Sequence, residues 1–222
     1  MQKKKLIIYG IGRFARYAAY VFNTDSSYIV DSYSVESSLI ENKSDFFDSS
    51  LEYTPFEQLN QVKSPQEHLL FISVGNNLVR ERLYLAAKQQ GFELATYISS
   101  KASTWPNLDV GENCFIGEGS VLQPFVKVGS NSILLSSRLG HHTEVGQHTL
   151  LSGTLLAGNV KVGDYSLLGL NSAIMENIKI GARNILGMGT VITSDTEDNA
   201  IYTAPASVKR STTFQEFYRD LL

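Results

Sequence analysis

The sequence predicts an α/β domain at the N-terminus, followed by a parallel β-helix built from hexapeptide repeats. Three observations predict the β-helix. An aliphatic residue returns about every sixth position between Leu108 and Ile192, the residue after it is usually Gly, and the residue two before it is usually small or β-branched. A six-residue period with one large and one small inward position is typical of β-helices, in which each hexapeptide supplies a short strand and a corner.

The aliphatic positions keep their phase across two five-residue steps. Three hexapeptides make one turn, so the run predicts about five turns. The five-residue steps bracket His141, His142 and His148, and they predict an irregular corner at His141. The inward aliphatic positions are Val110, Ile116, Leu122, Val128, Leu134, Leu139, Val145, Leu151, Leu156, Val162, Leu168, Ile174, Ile180, Leu186 and Ile192.

A glycine-rich turn lies near the start of the chain. Residues 6–9 predict a strand, Gly10-Ile11-Gly12-Arg13-Phe14-Ala15 a tight turn, and residues 16–22 a helix. Such a turn brings backbone N–H groups and a helix N-terminus towards a phosphate. The same pattern is also that of a tight strand-to-helix turn without a ligand, and both interpretations remain open.

Further strands and helices complete a Rossmann-like α/β domain over residues 1–97. Residues 28–31 predict a strand with Asp31 at its C-terminal end, and residues 55–61 a short helix. Residues 68–74 predict a buried parallel strand that leads into Gly75-Asn76-Asn77. Residues 78–90 predict a helix closed by Gly91, and residues 92–98 a last strand.

Residues 98–222 are assigned to the β-helix and a short C-terminal helix. Thr213 to Glu216 matches a capping box, and the helix that follows is expected to pack on the β-helix through an apolar face. The single cysteine, Cys114, falls on a small inward position, which favours a buried structural thiol. The apolar face consists of Phe214, Phe217, Tyr218 and Leu221.

Composition excludes two classes of partner. The net charge is -3 and the pI about 5.8, which argues against a nucleic-acid surface. No apolar run approaches the roughly 18 residues of a membrane helix, and the N-terminus leads into a strand without a signal core, so a cytoplasmic protein is expected.

Taken together, these motifs resemble one family. The α/β domain, the run Phe71-Ile72-Ser73-Val74-Gly75-Asn76-Asn77, and a hexapeptide region with His141 and Ala157-Gly158-Asn159 are similar to the PglD/NeuD-type sugar acyltransferases. The resemblance implies a left-handed β-helix, a homotrimer, acetyl-CoA as acyl donor and a nucleotide-linked sugar as acceptor. A cyclic trimer would create three equivalent sites.

His141 matches the histidine that acts as general base in the family. Acyl transfer to an amine or hydroxyl needs a base that is neutral near pH 7 and within hydrogen-bond reach of the nucleophile. The family usually places an acidic residue next, to fix the imidazole tautomer, whereas this chain has His142. Three outcomes stay open: Glu144 reaches across the corner to take that role, His142 itself takes it, or the activity is reduced or redirected.

The family pattern also indicates donor-binding positions. The acyl donor is expected to lie along the backbone of Gly158, beside Leu170, and along Gly187-Met188-Gly189, where a backbone N–H can bond the thioester oxygen. His148 is either a donor contact or a solvated corner residue. The candidates for the phosphates of coenzyme A are Lys161, Lys179, Arg183, Lys209 and Arg210.

For the nucleotide-linked sugar, the positions that match the family are Gly10, Gly12, Asp31, Gly75 and Asn76. Arg13 departs from the family turn and is a candidate for the diphosphate, while Phe14 would narrow the pocket.

The predicted reaction is acetyl-CoA-dependent N-acetylation of a nucleotide-linked amino-dideoxy sugar. O-acetylation of a sugar or sialic acid is the alternative within the same class, and a non-catalytic hexapeptide trimer is the alternative outside it. A three-histidine zinc site is not expected, because His142 and His148 are one face apart and point in different directions.

Overall fold

The computed structural model of the chain describes residues 4–41 and 52–219. Its N-terminal part is a four-stranded parallel sheet of order β3-β2-β1-β4 with helices around it. The elements are β1 (Lys4–Tyr9), α1 (Arg13–Thr24), β2 (Tyr28–Val35), α2 (Ser37–Glu41), β3 (Tyr53–Pro55), a 3-10 turn (Phe56–Gln58), α3 (Leu59–Val62), β4 (His68–Ile72) and α4 (Asn77–Gln89). The predicted strand–turn–helix at the N-terminus is confirmed.

Two strand predictions in this region are wrong. Asp31 does not end β2, because the strand continues to Val35 and Asp31 occupies a bulge opposite Leu6 and Ile7. Residues 92–98 do not form one strand of the α/β sheet: Leu94 makes an isolated bridge to β4, and Tyr97–Ile98 pairs with the β-helix. The bulge inserts Asp31 between two paired residues and breaks the alternation, so the sequence pattern stops too early.

The second part is a parallel β-helix with five complete turns, as the repeat predicts. Its strands stack into three parallel sheets, named here face 1 (β5, β7, β10, β13, β16, β19, β21), face 2 (β8, β11, β14, β17, β20) and face 3 (β6, β9, β12, β15, β18). The strands are β5 (Tyr97–Ile98), β6 (Asp109–Val110), β7 (Phe115–Ile116), β8 (Val121–Leu122), β9 (Lys127–Val128), β10 (Ile133–Leu135), β11 (Arg138–Leu139), β12 (Glu144–Val145), β13 (Leu150–Ser152), β14 (Leu155–Leu156), β15 (Lys161–Val162), β16 (Leu167–Leu168), β17 (Ala173–Ile174), β18 (Lys179–Ile180), β19 (Ile185–Leu186), β20 (Val191–Ile192) and β21 (Ile201–Tyr202).

The corners between strands stack into three edges. The 1–2 edge contains residues 117–120, 135–137, 152–154, 169–172 and 187–190; the 2–3 edge contains residues 123–126, 140–143, 157–160 and 175–178; the 3–1 edge contains residues 111–114, 129–132, 146–149, 163–166 and 181–184. The two five-residue steps fall on the 1–2 edge, where Ser136 and Gly153 have positive φ. The corner of His141 belongs to the 2–3 edge and has the regular length, so the prediction of an irregular corner there is wrong.

The outward residue of each strand gives the three faces different environments. Face 1 presents Phe115 and Ile133 to the N-terminal sheet, which buries them. Face 2 presents apolar side chains that are exposed in the single chain, including Leu155 and Val191. Face 3 presents only charged residues, namely Asp109, Lys127, Glu144, Lys161 and Lys179. Burial of apolar surface therefore assigns face 1 to the α/β part and face 3 to solvent.

A buried arginine joins the two parts of the molecule. Arg80 on α4 is 0% exposed, and all five N–H groups of its guanidinium have acceptors. Two acceptors are β-helix carbonyls, those of Asn131 (2.9 Å) and Thr149 (2.8 Å). The others are the carbonyls of Val74 (2.8 Å) and Gly75 (3.1 Å) and the Oδ1 atom of Asn77 (2.8 Å). Burial lowers the pKa of Arg80 to about 10, which still leaves the group charged at neutral pH.

The C-terminal helix α5 (Phe214–Arg219) begins with the predicted capping box, in which Oε2 of Glu216 accepts from Thr213 N (2.7 Å). Its expected packing on the β-helix is wrong for the described chain, because Phe214 is 74% and Phe217 52% exposed. The positions of Tyr218 and Leu221 in the expected face lie outside the described side chains. Across residues 4–41 and 52–219, no helix combines the length and apolarity needed to cross a membrane.

Replacement of Arg80 by Met is expected to lower the free energy of unfolding by about 3 kcal/mol or more, because it leaves buried carbonyls on both parts without a donor. Arg82→Met is the matched control on the same helix. Its side chain is 63% exposed and pairs with Glu36, so a loss below about 1 kcal/mol is expected. Urea denaturation measures both; equal midpoints would show that Arg80 does not hold the two parts together.

Candidate active site

A groove on the 2–3 edge contains His141. Its volume is about 460 Å³, and it lies between the corner of His141 and the strands of face 2. Its walls are formed by Val121, Gln123, Arg138, Leu139, Gly140, His141, Leu156, Ala157 and Gly158. The groove is the cleft in which the predicted base can meet a ligand.

Neighbouring coils fix the backbone and the ring of His141. Its N–H donates to Oε1 of Gln123 (2.9 Å) on the coil before, and its carbonyl accepts from Asn159 N (2.8 Å) on the coil after. The ring lies against Gly158, where an added Cβ would come within 2.8 Å of Cε1 and 3.0 Å of Nε2. Gly158 is therefore required here for the space that the imidazole occupies, and the prediction that it lies in the site is supported by its contact with His141.

His142 is the hydrogen-bond partner of His141. The two Nδ1 atoms are 3.1 Å apart. His142 has a left-handed backbone (φ 59°), and its ring packs on Phe125 with centroids 4.7 Å apart. Glu144, the other predicted partner, lies on face 3, where its carboxylate is 3.9 Å from Nζ of Lys127. Glu144 therefore does not orient His141.

His148 lies on a different edge from His141, and the expected donor contact is wrong. It is 7% exposed on the 3–1 edge, beneath Tyr84 of α4, and its ring stacks on Tyr165 with centroids 5.0 Å apart. Because of that burial, His148 is not a solvated corner residue, and its side chain does not reach a ligand beside His141. A chain of amides reaches it: Ile72 N donates to Oδ1 of Asn113 (2.8 Å), Nδ2 of Asn113 donates to Oδ1 of Asn131 (2.6 Å), and Asn131 Nδ2 lies 2.7 Å from His148 Nδ1.

The direction of this chain fixes the tautomer of His148. A backbone N–H can only donate, so each amide in turn presents its NH2 group to the next residue. Nδ1 of His148 must accept, and its proton is on Nε2. Burial lowers the pKa of His148, because the charged form would lose its solvation and its acceptor role.

The remaining donor-binding candidates lie away from His141 within one chain. Leu170, Gly187, Met188 and Gly189 share the 1–2 edge, where Leu170 is 51% and Met188 68% exposed. Face 2 separates this edge from the groove at His141.

The cationic candidates for coenzyme A phosphates are dispersed. Lys161 and Lys179 lie next to each other on face 3. Arg183 lies on the 3–1 edge, with its guanidinium 5.0 Å from the ring centroid of Tyr165. Lys209 and Arg210 are exposed in the segment before α5. A single copy of the chain does not bring these five cationic side chains together.

The glycine turns of the N-terminal sheet meet at one edge. Gly10 follows β1 with φ 134°, and an added Cβ would meet Oγ of Ser73 at 2.7 Å, directly after β4. Gly12 caps α1 with an extended backbone and open space around it, and Arg13 begins the helix. Gly75 and Asn76 follow β4, and Oδ1 of Asn76 accepts from Leu78 N and Val79 N (both 3.1 Å). The strands β1 and β4 are neighbours although β2 and β3 intervene in sequence, which makes this crevice a topological switch point.

Asp31 does not contribute to this crevice. Its Oδ2 atom is 2.9 Å from Nζ of Lys63 and 3.6 Å from Nε2 of His68, at the start of β4. The first acidic residue after β2 is Glu36, which the sequence reading did not single out. Its carboxylate accepts from the hydroxyl of Tyr9 (3.0 Å) and from Nη2 of Arg82 (2.7 Å).

Nucleotide-binding α/β sheets place an acidic residue about 20 positions after the glycine turn, at the end of the second strand, where it binds a ribose hydroxyl. Spacing alone favours Asp31, which lies 19 residues after Gly12, over Glu36, which lies 24 residues after it. Glu36 is the acidic residue that directly follows the end of β2 at Val35, and the alternation in the sequence does not reveal that the strand extends so far. Burial and the bond to Glu36 raise the pKa of Tyr9, so its hydroxyl remains a donor.

The chain folds as a β-helix of hexapeptide repeats with an α/β part docked on face 1. A family model described as the hexapeptide repeat of succinyl-transferase matches residues 108–135 and 159–194. No curated protein matches the chain in sequence.

Solved structures of sugar acetyltransferases have the same fold. The acetyltransferase domain of PglB from Neisseria gonorrhoeae, in complex with acetyl coenzyme A, superposes with a TM-score of 0.81 at 20% identity, covering 91% of this chain and 97% of that one. A histidine-to-asparagine variant of perosamine N-acetyltransferase from Caulobacter crescentus, in complex with CoA and GDP-perosamine, gives a TM-score of 0.82 at 22% identity, covering 93% and 97%. WeeI from Acinetobacter baumannii gives 0.75 at 18% identity, covering 89% and 95%.

The buried, neutral His148 is expected to make stability depend on pH. Its folded pKa lies below the value of about 6.5 in the unfolded chain, so its contribution is complete above that value and is lost as the pH falls through the folded pKa. Between pH 7.5 and 5, His148→Gln should therefore lose less thermal stability than wild type. His142→Gln, at an exposed position, is the control and should follow the wild type; identical slopes for all three proteins would contradict the assignment.

Proposed function

We propose that the protein is an acetyl-CoA-dependent acyltransferase that N-acetylates a nucleotide-linked amino-dideoxy sugar, with His141 as general base. The observation that carries the proposal is the placement of His141: its ring lies on Gly158 at the mouth of a groove, in a fold shared across nine-tenths of the chain with structures that hold CoA donors and a nucleotide sugar. Two of the similar structures are variants at a histidine of perosamine N-acetyltransferase.

The chemistry at His141 is direct acyl transfer. Nε2 of His141 takes a proton from the incoming amine as the amine nitrogen attacks the carbonyl carbon. The C–N bond forms, the C–S bond breaks, and the proton passes from His141 to the departing thiolate. Acetyl-CoA supplies the activated carbonyl. The backbone along Gly158, where there is no side chain, leaves room for the pantetheine arm, and a backbone N–H there would stabilise the oxyanion.

The crevice of the N-terminal sheet is proposed to hold the nucleotide. The strand order β3-β2-β1-β4 supports this proposal, because Gly10 and Gly12 follow β1 and Gly75 follows its neighbour β4, and the start of α1 beside Arg13 suits a diphosphate. Glu36 replaces Asp31 as the acidic residue that would accept from a ribose hydroxyl. Asn76 would act indirectly, because its side chain caps α4 and holds the first turn of that helix in place.

A homotrimer of left-handed β-helices would complete the donor site. Within one chain, Leu170 and Met188 lie across face 2 from His141, and the outward side chains of face 2 are aliphatic except for that of Arg138. Packing face 2 against a second copy would bury these side chains and bring the 1–2 edge of one copy to the groove of another.

The test is release of free thiol from acetyl-CoA with a panel of UDP-, GDP- and dTDP-linked sugars that carry either an amine or a hydroxyl at the acceptor position. Turnover with amino sugars is expected, and His141→Asn should lower kcat by about 10²-fold or more. Glu144→Gln on face 3 is the control and should leave the rate unchanged. Turnover only with hydroxyl acceptors would assign O-acetylation, and a His141→Asn variant with full rate would remove His141 as the base.

Gly158→Ala is expected to displace the His141 ring. The added Cβ would lie 2.8 Å from Cε1, so the imidazole must move by several tenths of an ångström. Displacement of a base at this scale should lower kcat by roughly 10- to 100-fold without unfolding the protein, since the backbone of Gly158 does not have a positive φ.

Gly117→Ala provides the control for that variant. Its Cβ would meet its nearest neighbours at 3.4 Å, an ordinary contact, and none of them belongs to the corner of His141. Equal kcat values for the two alanine variants would show that Gly158 does not position the base.

A further inference from the structure

His142 directly follows the proposed base in sequence, and the 3.1 Å contact between the two Nδ1 atoms makes it a candidate for orienting that base. We propose that His142 is a positioning residue: the lone pair on its Nδ1 accepts the Nδ1 proton of His141, which leaves the lone pair of His141 Nε2 facing the groove. This inference rests on the proposed acyl transfer at His141.

The contact itself requires one donor and one acceptor. A neutral imidazole has one N–H and one lone pair, so two Nδ1 atoms 3.1 Å apart form a hydrogen bond only if one ring is protonated there and the other is not. Nε2 of His141 borders Gly158 and the groove. Only the arrangement in which His141 donates leaves a base at that atom.

The position of His142 is set independently of His141. Its ring packs on Phe125 from the preceding coil at an interplanar angle of 30°, and its N–H donates to the carbonyl of Pro124 (3.2 Å). His142 is the third residue of its corner, and the third residue of every other corner on the 2–3 edge has the same left-handed backbone, namely Phe125, Asn159 and Asn177. The acceptor is thus held in place before any ligand binds.

No other titratable group on the packed corners competes with His142. Residues 123–126 and 157–160, which stack on the corner of His141 and are all described, contain neither an acid nor a base. The strand before the corner contributes Arg138 to the groove wall, and the strand after it contributes Glu144, which faces Lys127. Along the same edge the next acidic residue is Glu176, two coils from His141.

Two imidazoles behave differently from a histidine–carboxylate pair as the pH falls. A carboxylate stays charged and keeps accepting, whereas a proton on His142 Nδ1 turns the acceptor into a donor that faces another donor. The base then needs both rings neutral. The rate should therefore fall on the acid side with the uptake of up to two protons, where a histidine–carboxylate pair would take up one.

Two variants at position 142 test the role. His142→Phe keeps the packing on Phe125 and removes the acceptor, so kcat should fall roughly 10- to 100-fold with little change in KM. His142→Asn suits the left-handed backbone, as Asn159 and Asn177 show on the neighbouring coils, and its amide oxygen accepts without titrating. The Asn variant should retain more activity than the Phe variant. The fall of its rate at low pH should follow the uptake of a single proton.

The outcomes separate this inference from the proposed function. A His142→Phe variant with the wild-type kcat and pH profile overturns the role of His142, while loss of activity in His141→Asn would still support the base. Nitrogen-15 NMR of the histidine rings gives a readout without any substrate: His141 should carry its proton on Nδ1 in the wild type and shift towards Nε2 in His142→Phe. A His141 protonated at Nε2 in the wild-type protein also overturns the proposal.

Discussion

The buried guanidinium of Arg80 is the contact on which the relative placement of the two crevices depends. It binds carbonyls at the end of β4 and on two corners of the β-helix, so the loop at Gly75 and the 3–1 edge are held by one planar group. A buried charge without acceptors would be costly, whereas five acceptors around the Arg80 guanidinium fix its orientation. Any shift of the N-terminal sheet along face 1 would break several of these bonds together, and so the nucleotide crevice has one position relative to the coils.

The β-helix shows how a single outward residue per strand determines the environment of a whole face. The inward aliphatic residues make all three faces equal in the core. The outward residues differ: aromatic and aliphatic on face 1, aliphatic apart from Arg138 on face 2, and charged on face 3. The inward position of the repeat thus supplies a core along the whole β-helix. The outward position determines whether a face packs on the α/β part, associates with another copy or contacts solvent.

The sequence was sufficient for the coils, because a period of six with inward aliphatic residues is a local pattern that leaves one arrangement. The resemblance to a known motif pointed to His141, which lies in the groove against Gly158, and its role as base stays a proposal. The sequence was insufficient for Asp31, since a bulge displaces one residue from the alternation and the strand continues to Val35. It was also insufficient for Glu144 and His148. The direction of an outward side chain depends on which edge its corner joins, and the edge is set by how coils 17 or 18 positions apart stack on each other. The pairs Leu122 with Leu139 and Leu156 with Ile174 show these two spacings.

The shortened corners at Ser136 and Gly153 have a consequence for how such molecules can change. Each removes one residue from its coil, yet the inward pairs Leu134 with Leu151 and Leu151 with Leu168 remain in register. The second of these corners runs close to Leu170, because a Cβ added at Gly153 would lie 3.1 Å from Cδ2 of that residue. The length of a corner on the 1–2 edge can therefore differ by one residue between coils while the inward register stays the same.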